Sequence, residues 1–201
     1  MAIRSVALAL LGLSGLFLSA CAGPRDTRVD VDAPDTVTGT GLQSQDIRTM
    51  AVSMAADIKA SGVLAPSRDG ERATFFIYEM RNDSSDRIDP EIILYDLRAE
   101  LYEAFNRQVR ILDRSPQAND LVDAERRMKE RGQVSGNVDR KVAGSDFVLK
   151  GVMKSRDRQA GALKSSYIQV TFELTDLTTG ELMWTKNYRM KTESEKSVIN
   201  R

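Results

Sequence analysis

The sequence predicts a small α/β (α+β) domain: a mixed sheet ending in an antiparallel meander and flanked by three to four helices. Three observations carry this prediction. Between residues 43 and 131 apolar side chains recur mainly at helical spacing, broken by two short β-rich runs. In the last third the period changes from 3.6 to 2. Leu177-Thr178-Thr179-Gly180 then separates the final two alternating runs as a hairpin does, with glycine where positive φ is needed.

The chain opens with Arg4, an uncharged run from Val6 to Leu18, and the small residues Ser19 and Ala20 before its one cysteine, Cys21. A positive start, an apolar stretch and a small-residue end form the pattern of a secretory signal, expected over residues 1–20. The apolar stretch amounts to ~20 Å of helix, short of the ~20 residues a bilayer core requires. Two processing routes fit. A cut between Ala20 and Cys21 leaves the cysteine as the new first residue; Ala20-Cys21-Ala22 also satisfies the A-x-A rule of an ordinary secretory cut, which would release a soluble protein. Residues 21–42 are polar and carry Pro24 and Pro34, as expected of a flexible tether with an r.m.s. span of ~25 Å. A globular domain is expected over 43–191 and a loose tail over 192–201.

Ile47, Met50, Ala51, Met54, Ala55 and Ile58 share one helical face, and Gly62 follows as a C-terminal cap. The aromatic and β-branched run 73–80, ATFFIYEM, predicts a buried strand. After a polar loop, Asp89 and Pro90 supply an N-cap and first turn for a helix whose buried stripe holds Ile93, Leu94, Leu97, Leu101, Ala104 and Phe105. Glu103 and Arg107 fall four apart on its outer side. VRIL, 109–112, predicts a second short strand. Residues 119–131 predict a charged surface helix with Leu121, Val122, Ala124 and Met128 as a narrow apolar seam. FVLKGVM opens the meander. In YIQVTFELTD the residues Ile168, Val170, Phe172 and Leu174 share a face; in ELMWTKNYRM so do Leu182, Trp184, Tyr188 and Met190, interrupted by Lys186.

Composition excludes several classes of function. The 29 basic residues balance 29 acidic ones, which leaves no field to hold nucleic acid. The chain contains no histidine, which removes the commonest general base, the usual triads and His-containing metal sites. One cysteine cannot form an internal disulfide. The three evenly spaced carboxylates Asp83, Asp86 and Asp89 lack the ligand spacing of a calcium loop and read as a solvated turn plus a helix cap. Glu79 reads as a solvated strand residue and Trp184 as core. No enzyme activity, catalytic residue, metal or cofactor is expected. The candidate contact element is the hairpin around Gly161, where Arg156, Arg158 and Lys164 are the candidate partner-contact residues and Asp157 lies among them.

Leu18-Ser19-Ala20-Cys21 resembles the lipobox of bacterial lipoproteins. GSDFVLKGVM, YIQVTFELTDLTTGELMWT and RNDSSDRIDPEIILYDLRAEL are similar to segments of the LpoB-type lipoprotein activators of penicillin-binding proteins. The matching positions are Asn82, Ile88, Asp89, Gly144, Asp146, Thr179, Gly180, Glu181 and Trp184. This resemblance, over most of 45–190, implies a lipid on Cys21, outer-membrane sorting because Ala22 follows the cysteine, and a bifunctional peptidoglycan synthase as partner. Activation would then work by contact, through preferential binding to the partner's active conformation. The alternative it leaves open is a periplasmic adaptor or assembly factor of the same fold serving another envelope complex.

Overall fold

The computed structural model describes residues 26–37, 39–66, 70–137 and 141–195. The chain divides into two units between Ala33 and Pro34. In the described part of the first, the Ala33 N–H donates to the Asp30 carbonyl at 3.1 Å, closing a turn. The signal segment, with Ala20 and Cys21, lies outside the described residues.

The second unit runs α1 (Ser44–Ala60), β1 (Thr74–Asp83), α2 (Pro90–Phe105), β2 (Arg110–Leu112), α3 (Pro116–Glu130), β3 (Phe147–Ala160), β4 (Leu163–Asp176) and β5 (Leu182–Glu195). The five strands make one sheet in the order β2-β1-β3-β4-β5. β1 lies parallel to β2 and β3, while β3, β4 and β5 form the antiparallel meander.

Local chemistry sets the helix ends. The Gln43 N–H donates to Asp46 Oδ2 at 3.0 Å before α1, and Gly62 follows it with φ +70°. Asp89 Oδ1 accepts from the Glu91 N–H at 3.0 Å with Pro90 in the first turn of α2, and Ser115 caps α3 the same way through the Ala118 N–H. All six expected residues of α1 are buried, as are Ile93, Leu97, Leu101 and Phe105 of α2. They pack on Phe75, Leu149, Met153 and the even-numbered residues Ile168 to Leu174 of β4. At ~1.5–3 kcal/mol for each fully buried side chain, this one layer of helices on one face of the sheet supplies the driving force for folding. Among the described residues no buried side-chain nitrogen or oxygen lacks a hydrogen-bond partner.

Six features depart from expectation. β1 extends to Asp83, and a bulge at Tyr78 and Glu79 against Lys150 lets both Ile77 and Met80 face the core. α2 stops at Phe105 with Asn106 in the left-handed region, and Arg107 follows at φ +64°, so Arg107 lies beyond the helix rather than on its outer side. α3 begins three residues early, at Pro116, and buries none of its residues; Leu121 is 71 % exposed. Leu182 is exposed because the ladder slips between Leu174 and Thr175, one residue being extruded at Met183. β5 continues to Glu195, paired with Leu163, so residues 192–195 of the expected tail are strand. The end of the expected tether is docked onto the domain: Asp35 accepts from both the N–H and Oγ of Ser44, the Leu42 N–H donates to Asp86 Oδ2 at 2.7 Å, and Thr192 Oγ1 donates to the Thr40 carbonyl at 2.9 Å.

Candidate partner-binding face

The helices cover one face of the sheet, and strand alternation sends the other set of side chains of the meander to a face that no helix packs against among the described residues. On that open face the meander carries Lys154, Arg156 and Arg158 from β3. Opposite them lie Gln169, Tyr167 and Ser165 of β4, and beyond those Arg189, Lys191 and Glu193 of β5. All of these but Arg189 line a shallow groove of about 800 Å³. Three ion pairs sit on the same face: Arg81 with Asp83 at 2.9 Å, Lys150 with Glu173 at 3.3 Å and Lys191 with Glu193 at 2.7 Å. Lys154, Arg156, Arg158 and Arg189 have no carboxylate within 4 Å among the described residues. A charge-balanced chain thus gathers a cationic stripe on one surface.

The stripe rests on an ordered polar ladder. Tyr167 OH donates to Gln169 Oε1 at 3.2 Å, Gln169 Nε2 donates to Thr171 Oγ1 and Asn187 Oδ1, and Thr171 Oγ1 donates to Asn187 Oδ1 at 2.5 Å. The ladder fixes Tyr167 and Gln169, which line the groove between the cationic side chains.

The structure brings Arg156 and Arg158 together and separates them from Lys164. β3 and β4 are joined by a tight turn at Gly161, φ +59°, so Lys164 pairs with Gln159 and faces the helix side of the sheet, as does Asp157. There the hydroxyls of Ser166 and Ser85 and the charge of Lys164 hold the Asp157 carboxyl below its ordinary range. The Ser85 N–H donates to Ser155 Oγ at 2.9 Å, and Ser85 Oγ also bonds Asp157. These contacts tie the projecting hairpin to the loop after β1, which makes its open face a firm platform.

The other sequence candidates are not assembled into a site. Asp83 pairs with Arg81, Asp86 accepts from Leu42, and Asp89 caps α2. Glu79 is exposed in the bulge. Among the described residues no group of three or more acidic, His or Cys side chains could hold a metal ion. Trp184 is core, and its indole N–H donates to Asp57 Oδ1 at 2.9 Å. Lys186, which breaks the apolar pattern of β5, reaches Asp57 Oδ2 at 2.5 Å; hydrogen bonds from Lys186 and then Trp184 keep the Asp57 carboxyl below its ordinary value.

The residues that carried the family resemblance turn out to be fasteners. Asn82 Nδ2 donates to the carbonyls of Asp86 and Ile88 while its Oδ1 accepts from Ser84, which shapes the loop into α2. Asp146 Oδ2 accepts from the Thr74 N–H, its own N–H donates to the Thr74 carbonyl, and its carbonyl accepts from the Leu177 N–H, all at 2.8 Å. One residue thereby joins the starts of β1 and β3 to the β4–β5 turn. In that turn the backbone N–H groups of Thr179 and then Thr178 hold the Asp176 carboxyl low, and Gly180 has φ +73°.

The model of the peptidoglycan-synthase activator LpoB family matches residues 46–190. The chain belongs to that family. Its members are envelope lipoproteins that act as activators of peptidoglycan synthases rather than as enzymes. Solved structures similar to the chain include the LpoB C-terminal domain from Escherichia coli, 15 % identical with a TM-score of 0.43, covering 72 % of this chain and 98 % of that one. The Salmonella enterica domain is 11 % identical with a TM-score of 0.41 and the same coverage of 72 % and 98 %. A lipoprotein from Neisseria meningitidis is 14 % identical with a TM-score of 0.38, covering 63 % of this chain and 88 % of that one. No curated protein matches the chain. Among the described residues no helix is long and apolar enough to cross a membrane.

Proposed function

We propose that the protein is an outer-membrane lipoprotein, anchored through a lipid on Cys21, that binds a bifunctional penicillin-binding protein and stimulates its synthesis of peptidoglycan. The observation that carries the reading is the family match over residues 46–190. The supporting geometry is the helix-free face of the meander, a rigid platform with the cations of Arg156 and Arg158 presented together. The contact is assigned to this face, with Lys164 at its rim from the other side of the turn. A surface of this kind suits an acidic patch on a partner, where charge complementarity speeds encounter and fixes orientation. Activation follows when the partner's active state is bound more tightly than its resting state, and it requires no acid, base or metal from the activator.

The test measures glycan polymerisation by the cognate synthase with and without the purified protein. Wild type raises the rate, and the double variant Arg156→Glu/Arg158→Glu raises it much less while melting like wild type. An unchanged rate with wild-type protein, together with no co-purification of the synthase, would overturn the proposal. Intact mass of protein extracted from membranes tests the anchor: a diacylglyceryl-modified start at Cys21 is expected, and an unmodified start downstream contradicts it.

A further inference from the structure

β5 ends the sheet, pairing with β4 on one side only. Among the described residues no backbone hydrogen bond from another segment reaches its outer edge, and the one contact at Thr192 is its Oγ1 donating to the Thr40 carbonyl on the other face of the strand. At 14 residues it is a long edge, whereas the opposite edge, β2, has three. Long free edges invite another strand, and proteins usually blunt them by shortness, bulges or repelling charges.

The charges on this edge are ordered. Arg189, Lys191, Glu193 and Glu195 alternate along the open face as two cations followed by two anions, with Met190, Thr192 and Ser194 on the other face. An antiparallel pair turned about Thr192 sets Lys191 opposite Glu193 of a second copy and Arg189 opposite Glu195, twice over by symmetry. A shift of two residues in either direction puts a like pair on the axis, Lys191 on Lys191 or Glu193 on Glu193. A parallel in-register pair would put every charge against its like. One arrangement therefore satisfies all four charges, and opposite charges directly across a ladder stabilise while like charges oppose it. Lys191 and Glu193 are well exposed, with side chains 63 % and 65 % accessible.

We propose that the 189–195 edge of β5 is a self-recognition surface, which pairs antiparallel with the same edge of a second copy about a two-fold axis at Thr192. Two copies then share one continuous sheet, and their open faces with Arg156 and Arg158 lie side by side. This pairing uses none of Arg156, Arg158 or Lys164, and its Lys191 and Glu193 lie at the far margin of the groove that those arginines line.

The test places a cysteine on the axis. Full-length protein carrying Thr192→Cys in cell membranes is treated with a mild oxidant, beside Thr185→Cys, a site on the same edge whose two copies would lie ~46 Å apart in the paired sheet. A reductant-sensitive dimer is expected from Thr192→Cys and none from Thr185→Cys. Adding Lys191→Glu should lower the dimer yield at least about tenfold, because two attractive pairs become repulsive. Lys191→Glu/Glu193→Lys should restore it, since the swap recreates opposite charges across the axis. Sedimentation of the full-length protein in detergent, without introduced cysteines, reads the same series: association that rises with concentration, is weakened by the single reversal and returns in the double. The proposal is overturned if Thr192→Cys crosslinks only to a different protein or not at all while wild type sediments as a monomer at every concentration. It is also overturned if the double reversal fails to regain what the single one lost.

Discussion

The two faces of β4 differ in everything but the strand they share. Even-numbered residues from Ile168 to Leu174 are buried under α1 and α2, while odd-numbered residues from Ser165 to Glu173 look out between two strands of basic side chains. The same backbone pairing thus supports a face built for stability and a face built for contact. Change on the first should cost folding energy, and change on the second should cost recognition.

The largest effect expected is on the covered face. Phe172 is fully buried, and Phe172→Ala should destabilise the domain by about 3–5 kcal/mol, measured by urea unfolding. The next tests the close approach beneath it. A Cβ at Gly151 would lie 2.7 Å from Phe172 Cε1, so Gly151→Ala should cost about 1–3 kcal/mol by forcing the ring aside.

Asp57 sharpens the comparison at the margin of the covered face. Asp57→Asn keeps an acceptor for the Trp184 indole but loses the charge facing Lys186; for a pair this exposed, with side chains 42 % and 35 % accessible, the cost is about 0.5–1 kcal/mol at neutral pH. Its sign with pH follows from the lowered carboxyl. The stabilisation is fully present above the ordinary carboxyl value of about 4 and fades as pH falls through the lower folded value. Thermal melts of wild type and Asp57→Asn should therefore differ at pH 7 and converge below about pH 4. The smallest stability effect belongs to the open face: Arg156→Glu/Arg158→Glu should leave the melting midpoint near wild type, within ~0.5 kcal/mol, because neither side chain has an ion-pair partner to lose among the described residues. A large loss of stability in that variant would erase the distinction between the faces.

The covered face was legible in the sequence because burial leaves a periodic trace. The stripes of α1 and β4 and the cap at Asp89 and Pro90 all emerge from spacing. The ends of β3, 154–159, and of β5, 192–195, leave no such trace. No helix covers them, so their residues are polar on both faces and read as loop or tail. α3 shows the converse: its seam of Leu121, Val122 and Met128 has the spacing of a packed helix, yet all three are exposed, since amphipathic spacing says what a helix could bury and not whether a surface is there to bury it. At the candidate site the sequence located the hairpin at Gly161, and strand alternation alone groups Arg156 with Arg158, but the placing of Lys164 on the opposite side depends on register across the turn. Lys186 and Asp57, 129 residues apart, could be matched only once β5 was placed beside α1.

The docking of Asp35 to Leu42 on the domain has a consequence for range. With Cys21 as the proposed anchor, 13 residues remain from that cysteine to Ala33, a leash of ~45 Å at full stretch. A protein held so short patrols a thin layer beside its own membrane. Under the proposed anchoring, the distance across the cell wall has to be covered from the other side, by a partner that projects toward it.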